Sequence, residues 1–203
     1  MALVAWGEHE FEAAHGLPEP LPAGERLLWQ GSPAWRALAA DALHWRKIAL
    51  YFVLLLGWQA VSVAADGGSA GDAALAALRG VPLATLALAL LALLAWLMAR
   101  SAVYTITDRR VVMRIGVVLS VSFNLPLAQI AAADLRPRRD GSGDIALTLV
   151  GGQRIAWLHL WPHVRPWQLA RTQPMLRSVP DVEHVGRLLS QAARERKAAE
   201  ALR

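Results

Sequence analysis

The chain has 203 residues, 55% of them hydrophobic and 18% charged, with 21 basic residues against 16 acidic ones and a formal net charge of +5. It contains no cysteine, which excludes disulfides, thiolate metal sites and cysteine nucleophiles. Two long apolar stretches take up much of the hydrophobic content, and what is left is enough for about one small domain.

Residues 1–25 form a leader. Its first part is acidic and lacks the basic flank and apolar core of a cleavable signal. Pro18, Pro20 and Pro22 make its second part extended and stiff, either a solvated tail or a segment that docks on a partner. His9 and His15 do not match zinc-ligand spacing, and nothing nearby completes a metal site. Residues 26–47 then hold a first strand, Arg26–Gly31, and a helix-compatible juxtamembrane stretch, Ala34–Lys47. Trp35 and Trp45 suit a membrane entrance, because an indole ring is apolar while its N–H prefers water. His44 reads as an interfacial histidine rather than a pigment ligand.

Residues 48–99 predict a transmembrane hairpin. Ile48–Ala65 and Val81–Ala99 are free of charge, and each approaches the roughly 20 residues a helix needs to span the hydrocarbon core. The second run carries eight leucines. Neither has the polar face of a soluble amphipathic helix. Gly57 and Ala60 on the first helix, and Thr85, Ala89, Ala95 and Ala99 on the second, are small enough to let the helices approach. Gln59 is the one strongly polar side chain at depth and is expected to bond across helices, at about 0.6 kcal/mol. Arg46 and Lys47 precede the hairpin and Arg100 follows it, whereas Asp66–Gly80 between the helices holds only Arg79. Both termini are therefore expected in the cytoplasm. From Arg100 onward 16 basic residues face 8 acidic ones, a balance that fits cytoplasmic topology better than nucleic-acid binding.

Residues 100–203 read as the rest of a cytoplasmic domain. The period changes to that of strands at Ala102–Thr107, Arg110–Ile115, Val117–Asn124, Ile130–Arg136, Asp144–Val150 and Gln153–Leu158, with Gly151-Gly152 as a hairpin turn. Antiparallel strands at this spacing predict a sandwich or partly open barrel. His159–Arg177 (HLWPHVRPWQLARTQPMLR) is different. Its prolines oppose a long regular element. Its tryptophans and arginines are of the kind enriched in binding hot spots. Two readings stay open: a contact loop, or a cover over one end of the barrel with Trp161 and Trp167 tucked inward. His159 and His163 are four apart, but Pro162 opposes the helix that would align them as metal ligands. Ser178 is placed as a helix cap, followed by an apolar stripe of Val182, Val185, Leu188, Leu189 and Ala192.

The pattern YTITDRRVVMRIG, followed by a polar strand and NLPLAQI, is similar to the bacterial pleckstrin-homology-like domain. It implies a PH-like antiparallel β barrel or sandwich with a C-terminal helix, into which the hairpin is inserted after the first strand: a membrane α+β architecture. Four stretches, GLPEPLPAGERLLWQGSP, HWRKIALYFVLLLGW, YTITDRRVVMRIGV and HLWPHVRPWQLARTQPMLRSVPD, occur in the order seen in the PuhB family of photosynthetic-complex assembly proteins of purple bacteria, which this chain resembles. The resemblance implies a non-catalytic assembly factor for the reaction centre and core light-harvesting complex, self-association as a homodimer, and a place in the intracytoplasmic part of the inner membrane. It carries no catalytic residues, cofactor or metal. With the loop's composition, it directs attention to Trp161, Pro162, His163, Arg165, Pro166 and Trp167 as partner contacts, and to Arg109 and Arg110 as a secondary basic patch. The alternative is a membrane-anchored lipid- or protein-binding PH-like module, its basic half meeting anionic lipids. An enzyme is disfavoured, since the sequence has no phosphate loop, metal cluster or nucleophile motif.

Overall fold

The computed structural model describes Leu17 and residues 19–150, 156–168 and 172–201. The described chain divides into two compact units, one drawn from residues up to Ala34 and from Met98 onward, the other from Trp35–Leu97.

The second unit is helical: α1 (Trp35–Asp41), α2 (Trp45–Ala65) and most of α3 (Ala70–Ser101). Both α2 and α3 are long and apolar enough to cross a membrane. None of α2 is buried, and Leu50, Tyr51, Leu54, Leu55 and Trp58 are exposed. The expected long connection, Asp66–Gly80, is mostly helix instead. Only Asp66–Ser69 is non-helical, because Ser69 and Asp72 start α3 with a capping box: the Asp72 carboxylate accepts from Ser69 N–H at 3.0 Å and Ser69 Oγ at 2.7 Å, and Asp72 N–H donates back to Ser69 Oγ at 3.2 Å. The run AALAAL then supplies strong helix formers. Trp45 Nε1 donates to the Leu88 carbonyl at 3.1 Å rather than to water, tying the start of α2 to mid-α3. The close approach between the helices differs from the one expected. Gly57 has open space around its Cα, and Gln59 is exposed. Gly80 is the tight position, with the Leu56 side chain filling the place of its missing Cβ. Ala84, Ala95 and Ala99 are buried, Ala60 is half-buried, and Thr85 and Ala89 are exposed.

The first unit holds two antiparallel sheets that do not close into a barrel. β1 (Leu27–Gly31), β2 (Val103–Thr107), β3 (Arg110–Ile115) and β4 (Val121–Pro126) form one sheet in that order. β5 (Ile130–Pro137), β6 (Gly143–Leu149) and β7 (Met175–Val179) form the other. β1 precedes the long helices in sequence and β2 follows them, yet the two pair, with Gly31 opposite Tyr104. Alternation sets the faces. Tyr104 and Ile106 of β2 and Val111, Met113 and Ile115 of β3 enter the core with Ile145, Leu147, Leu176 and Val179 of the second sheet. Helix α5 (Val182–Ala201) covers them with Val182, Val185, Leu189 and Ala192, spaced three and four apart as the apolar stripe predicts, with Leu188 half-buried at the edge.

Three boundaries move. β4 starts at Val121, not Val117, because Gly116 turns the chain at φ +127° and a Cβ there would collide with the Leu119 carbonyl. The strand expected at Gln153–Leu158 is not the last strand of the domain. Trp157–Leu160 is instead a short helix, α4, while residues 151–155, including the Gly151-Gly152 turn, lie outside the described residues. The last strand is β7, within a segment whose prolines argue against one. Ser178 is therefore no helix cap. It is buried in β7, where its N–H donates to Asp144 Oδ1 at 2.8 Å, and α5 begins only after the Pro180-Asp181 turn.

Candidate partner-binding surface

The tryptophan-rich segment is a built loop. After α4 the chain runs through a cis Trp161-Pro162 bond into buried Pro162 and His163. His163–Arg165 then lies antiparallel to Gln173–Met175: Met175 N–H donates to the His163 carbonyl at 3.0 Å, and Arg165 N–H to the Gln173 carbonyl at 3.0 Å. Leu160 and Val164 are wholly buried in the core and fasten the loop from below.

His163 belongs to a buried polar chain. Its Nδ1 lies 2.5 Å from the Tyr104 hydroxyl, with the rings edge to face. That hydroxyl also accepts from Arg177 N–H at 3.2 Å, so its own proton points to His163. Arg177 Nη1 closes the chain by donating to the Pro162 carbonyl at 2.9 Å. Burial, reinforced by the nearby Arg177 charge, pushes the His163 pKa from 6.5 down to about 3, so the ring is neutral at neutral pH. Burial likewise raises the Tyr104 pKa, keeping the hydroxyl protonated. His163 is thus a structural acceptor, not an exposed contact residue. Tyr104 and Arg177, its partners, were not among the residues singled out from sequence.

The outward part of the loop is different. Trp167 is 94% exposed, in the left-handed region at φ +64°, next to exposed Pro166. Trp161 is 39% exposed. Neither indole is tucked inward; that task falls to Leu160 and Val164. Arg165 reaches across to β5, where Nη1 meets Asp134 Oδ2 at 2.6 Å and Gln173 Oε1 at 3.0 Å. Trp167 and Arg165 line a groove of about 630 Å³ together with Asp134, Arg136, Ala146 and Met175. The lining mixes charged, apolar and aromatic side chains. That suits a peptide or protein edge better than a small apolar ligand.

Arg109 and Arg110 do not join this surface. They lie at the turn beyond Thr107, the far end of β2 from Tyr104, about 10 Å along the strand at ~3.3 Å per residue. There they hold the leader: Arg109 Nη2 donates to the Gly24 carbonyl at 3.2 Å, and Arg110 Nε to Glu25 Oε1 at 2.8 Å. Thr107 Oγ1 donates to the same Glu25 oxygen at 2.7 Å. Leu17 is buried, and Pro20 and Pro22 line a cleft with Val112 and Asn124, so this part of the leader docks on the chain's own first sheet. Among the described residues no group of three or more His, Asp or Glu side chains is placed to hold a metal ion.

Residues 50–193 match the bacterial PH domain family. The chain belongs to that family. The match begins within α2 and covers β2 to β7 and more than half of α5, with β1 lying before it. A curated relative of this bacterial PH domain chain, described as an uncharacterized 23.7 kDa protein in the puhA 5' region of Rhodobacter capsulatus, is 37% identical over 187 residues, covering 92% of this chain and 87% of that protein. No solved structure matches the chain significantly.

Proposed function

We propose that this bacterial PH domain chain is a membrane-anchored, non-catalytic assembly factor of the PuhB type, holding reaction-centre or core light-harvesting subunits while they associate. One observation carries the contact assignment: Trp167, 94% exposed, stands on a loop whose base is fixed by His163, Tyr104 and Arg177. A large aromatic presented on a rigid base loses little entropy on binding and is the residue type that dominates interface energies. The photosynthetic context rests on the four matching stretches and on the relative's position beside puhA. The anchor reading rests on two helices of membrane length with outward apolar faces. In this reading the hairpin is an insertion between β1 and β2, and both termini are cytoplasmic. The protein self-associates through α2, where open Gly57 lies among Tyr51, Leu54, Trp58 and Val61.

The test is affinity purification in gentle detergent from photosynthetically grown cells, comparing the wild-type chain with Trp167→Ala at equal abundance. Co-purification of reaction-centre or core-antenna polypeptides, weakened about 30-fold by loss of a ~2 kcal/mol hot spot, is the expected result. Equal recovery with Trp167→Ala refutes the contact assignment. Recovery of neither polypeptide class with the wild-type chain refutes the assembly role.

A further inference from the structure

We propose that the β3–β4 loop, Gly116–Ser120, dips its apolar tip into the surface of the same bilayer that α2 and α3 cross, giving the domain a third point of membrane attachment. This rests on the membrane-spanning reading above. Val118 is 91% exposed and Leu119 82%, with Val117 and Val121 also exposed beside them. Scattered apolar side chains are ordinary on a water-facing surface, but a contiguous cluster at a protruding tip marks a contact. The fold does not need these side chains in its core. Gly116, at φ +127° and against the Leu119 carbonyl, turns the chain so sharply that Val118 and Leu119 point away from the sheet.

Strand register says which surface they meet. Ile115 pairs with Val121, so the tip extends beyond that end of β3 and β4. At the same end Val103, the first residue of β2, pairs with Arg114, and only Ala102 separates it from the last turn of α3. Gly31, where β1 ends and the chain departs towards α1, pairs with Tyr104 there too. Both links to the helices thus leave the sheet at the end from which the loop projects, one or two strand spacings away, about 5–10 Å. Arg100 and Arg114 lie at this end, and Arg114 Nη2 donates to Ser120 Oγ at 3.4 Å, which places positive charge where anionic headgroups would be. An apolar tip bounded by arginine suits the headgroup–acyl boundary, a depth of ~5–10 Å.

The absence of cysteine makes the test direct. Single variants Val118→Cys, Leu119→Cys, Leu90→Cys in α3 and Arg139→Cys in the β5–β6 turn are spin-labelled in the full chain. They are then reconstituted in phosphatidylcholine–phosphatidylglycerol vesicles. Collision with oxygen reports lipid, and collision with a water-soluble nickel chelate reports solvent. Labels at 118 and 119 are expected to resemble position 90, with nickel accessibility several-fold below that at 139. If 118 and 119 match 139 while 90 stays in lipid, the loop proposal is overturned and the anchor stands. If 90 is also aqueous, the spanning reading fails and takes this proposal with it. Protection at 118 and 119 that disappears when protein is diluted in lipid overturns the proposal in favour of contact with a second copy.

Discussion

His163 is neutral because burial and Arg177 make a second positive charge costly, and it accepts a hydrogen bond only in that state. Its pKa is about 3 in the fold against 6.5 in an unfolded chain, so on acidification the unfolded state takes up the proton first. Its stabilisation is therefore complete above pH 6.5 and is lost as pH falls from 6.5 towards 3, at up to ~1.4 kcal/mol per pH unit. Thermal unfolding of the detergent-solubilised protein between pH 7 and pH 5 should show this fall. His163→Phe, which leaves the Tyr104 hydroxyl without its acceptor, should cost about 1–3 kcal/mol at pH 7 and flatten the slope. An unchanged slope in that variant would show that other groups set the pH dependence. Sequence composition drew attention to His163 as a surface contact. Its partner is 59 residues away, a separation that no local pattern encodes, and so its structural role became visible only in the fold. Trp167, two residues past the last pinned position, was singled out by residue type, which left open whether it turns inward or outward; the fold exposes it.

Elements were legible where one force dominated. Alternation placed β2, β3 and β5 within a residue or so, and the three-four spacing placed the buried face of α5. Uniform apolarity located α2 and α3, but it could not locate the start of α3, which a serine–aspartate capping box sets eleven residues before the fully apolar run. β7 was hidden because Pro174 borders it and arginine interrupts it, while Asp144, a partner 34 residues away, holds its Ser178 N–H. The turn before β4 was hidden because Val117-Val118-Leu119 has strand composition, and one glycine overrides it. That glycine can be tested against another. Gly116→Ala places a Cβ against the Leu119 backbone at a φ that disfavours side chains, whereas Gly141→Ala, at φ +77°, meets open space. Gly141→Ala should cost about 1–2 kcal/mol for the left-handed conformation alone. Gly116→Ala should cost more, since a backbone carbonyl must also move. Equal melting temperatures for the two variants would show that the β3–β4 loop relaxes freely.

Across the whole molecule, the proposed side of the membrane for the contact loop rests on charge. Arg46 and Lys47 stand before α2 and Arg100 after α3, and between the helices lie Asp66 and Asp72 with Arg79 alone. In the proposed orientation the basic flanks, whose translocation is disfavoured, stay inside and the short Asp66–Ser69 connection crosses. α3, with 32 residues, is about 48 Å long at ~1.5 Å per residue, longer than the ~30 Å hydrocarbon core. In the proposed orientation its Ala70–Gly80 end would extend into the outer interface, where Arg79 would reach water with its guanidinium. Ala74→Cys, exposed near the start of α3, should react with a membrane-impermeant maleimide on intact spheroplasts. Arg139→Cys should react only after lysis. The reverse pattern would invert the assigned orientation, and labelling of both positions on intact spheroplasts would show that the helices do not separate two compartments. With the expected pattern, Trp167 faces the cytoplasm, which limits its partners to polypeptides that present surface on that side.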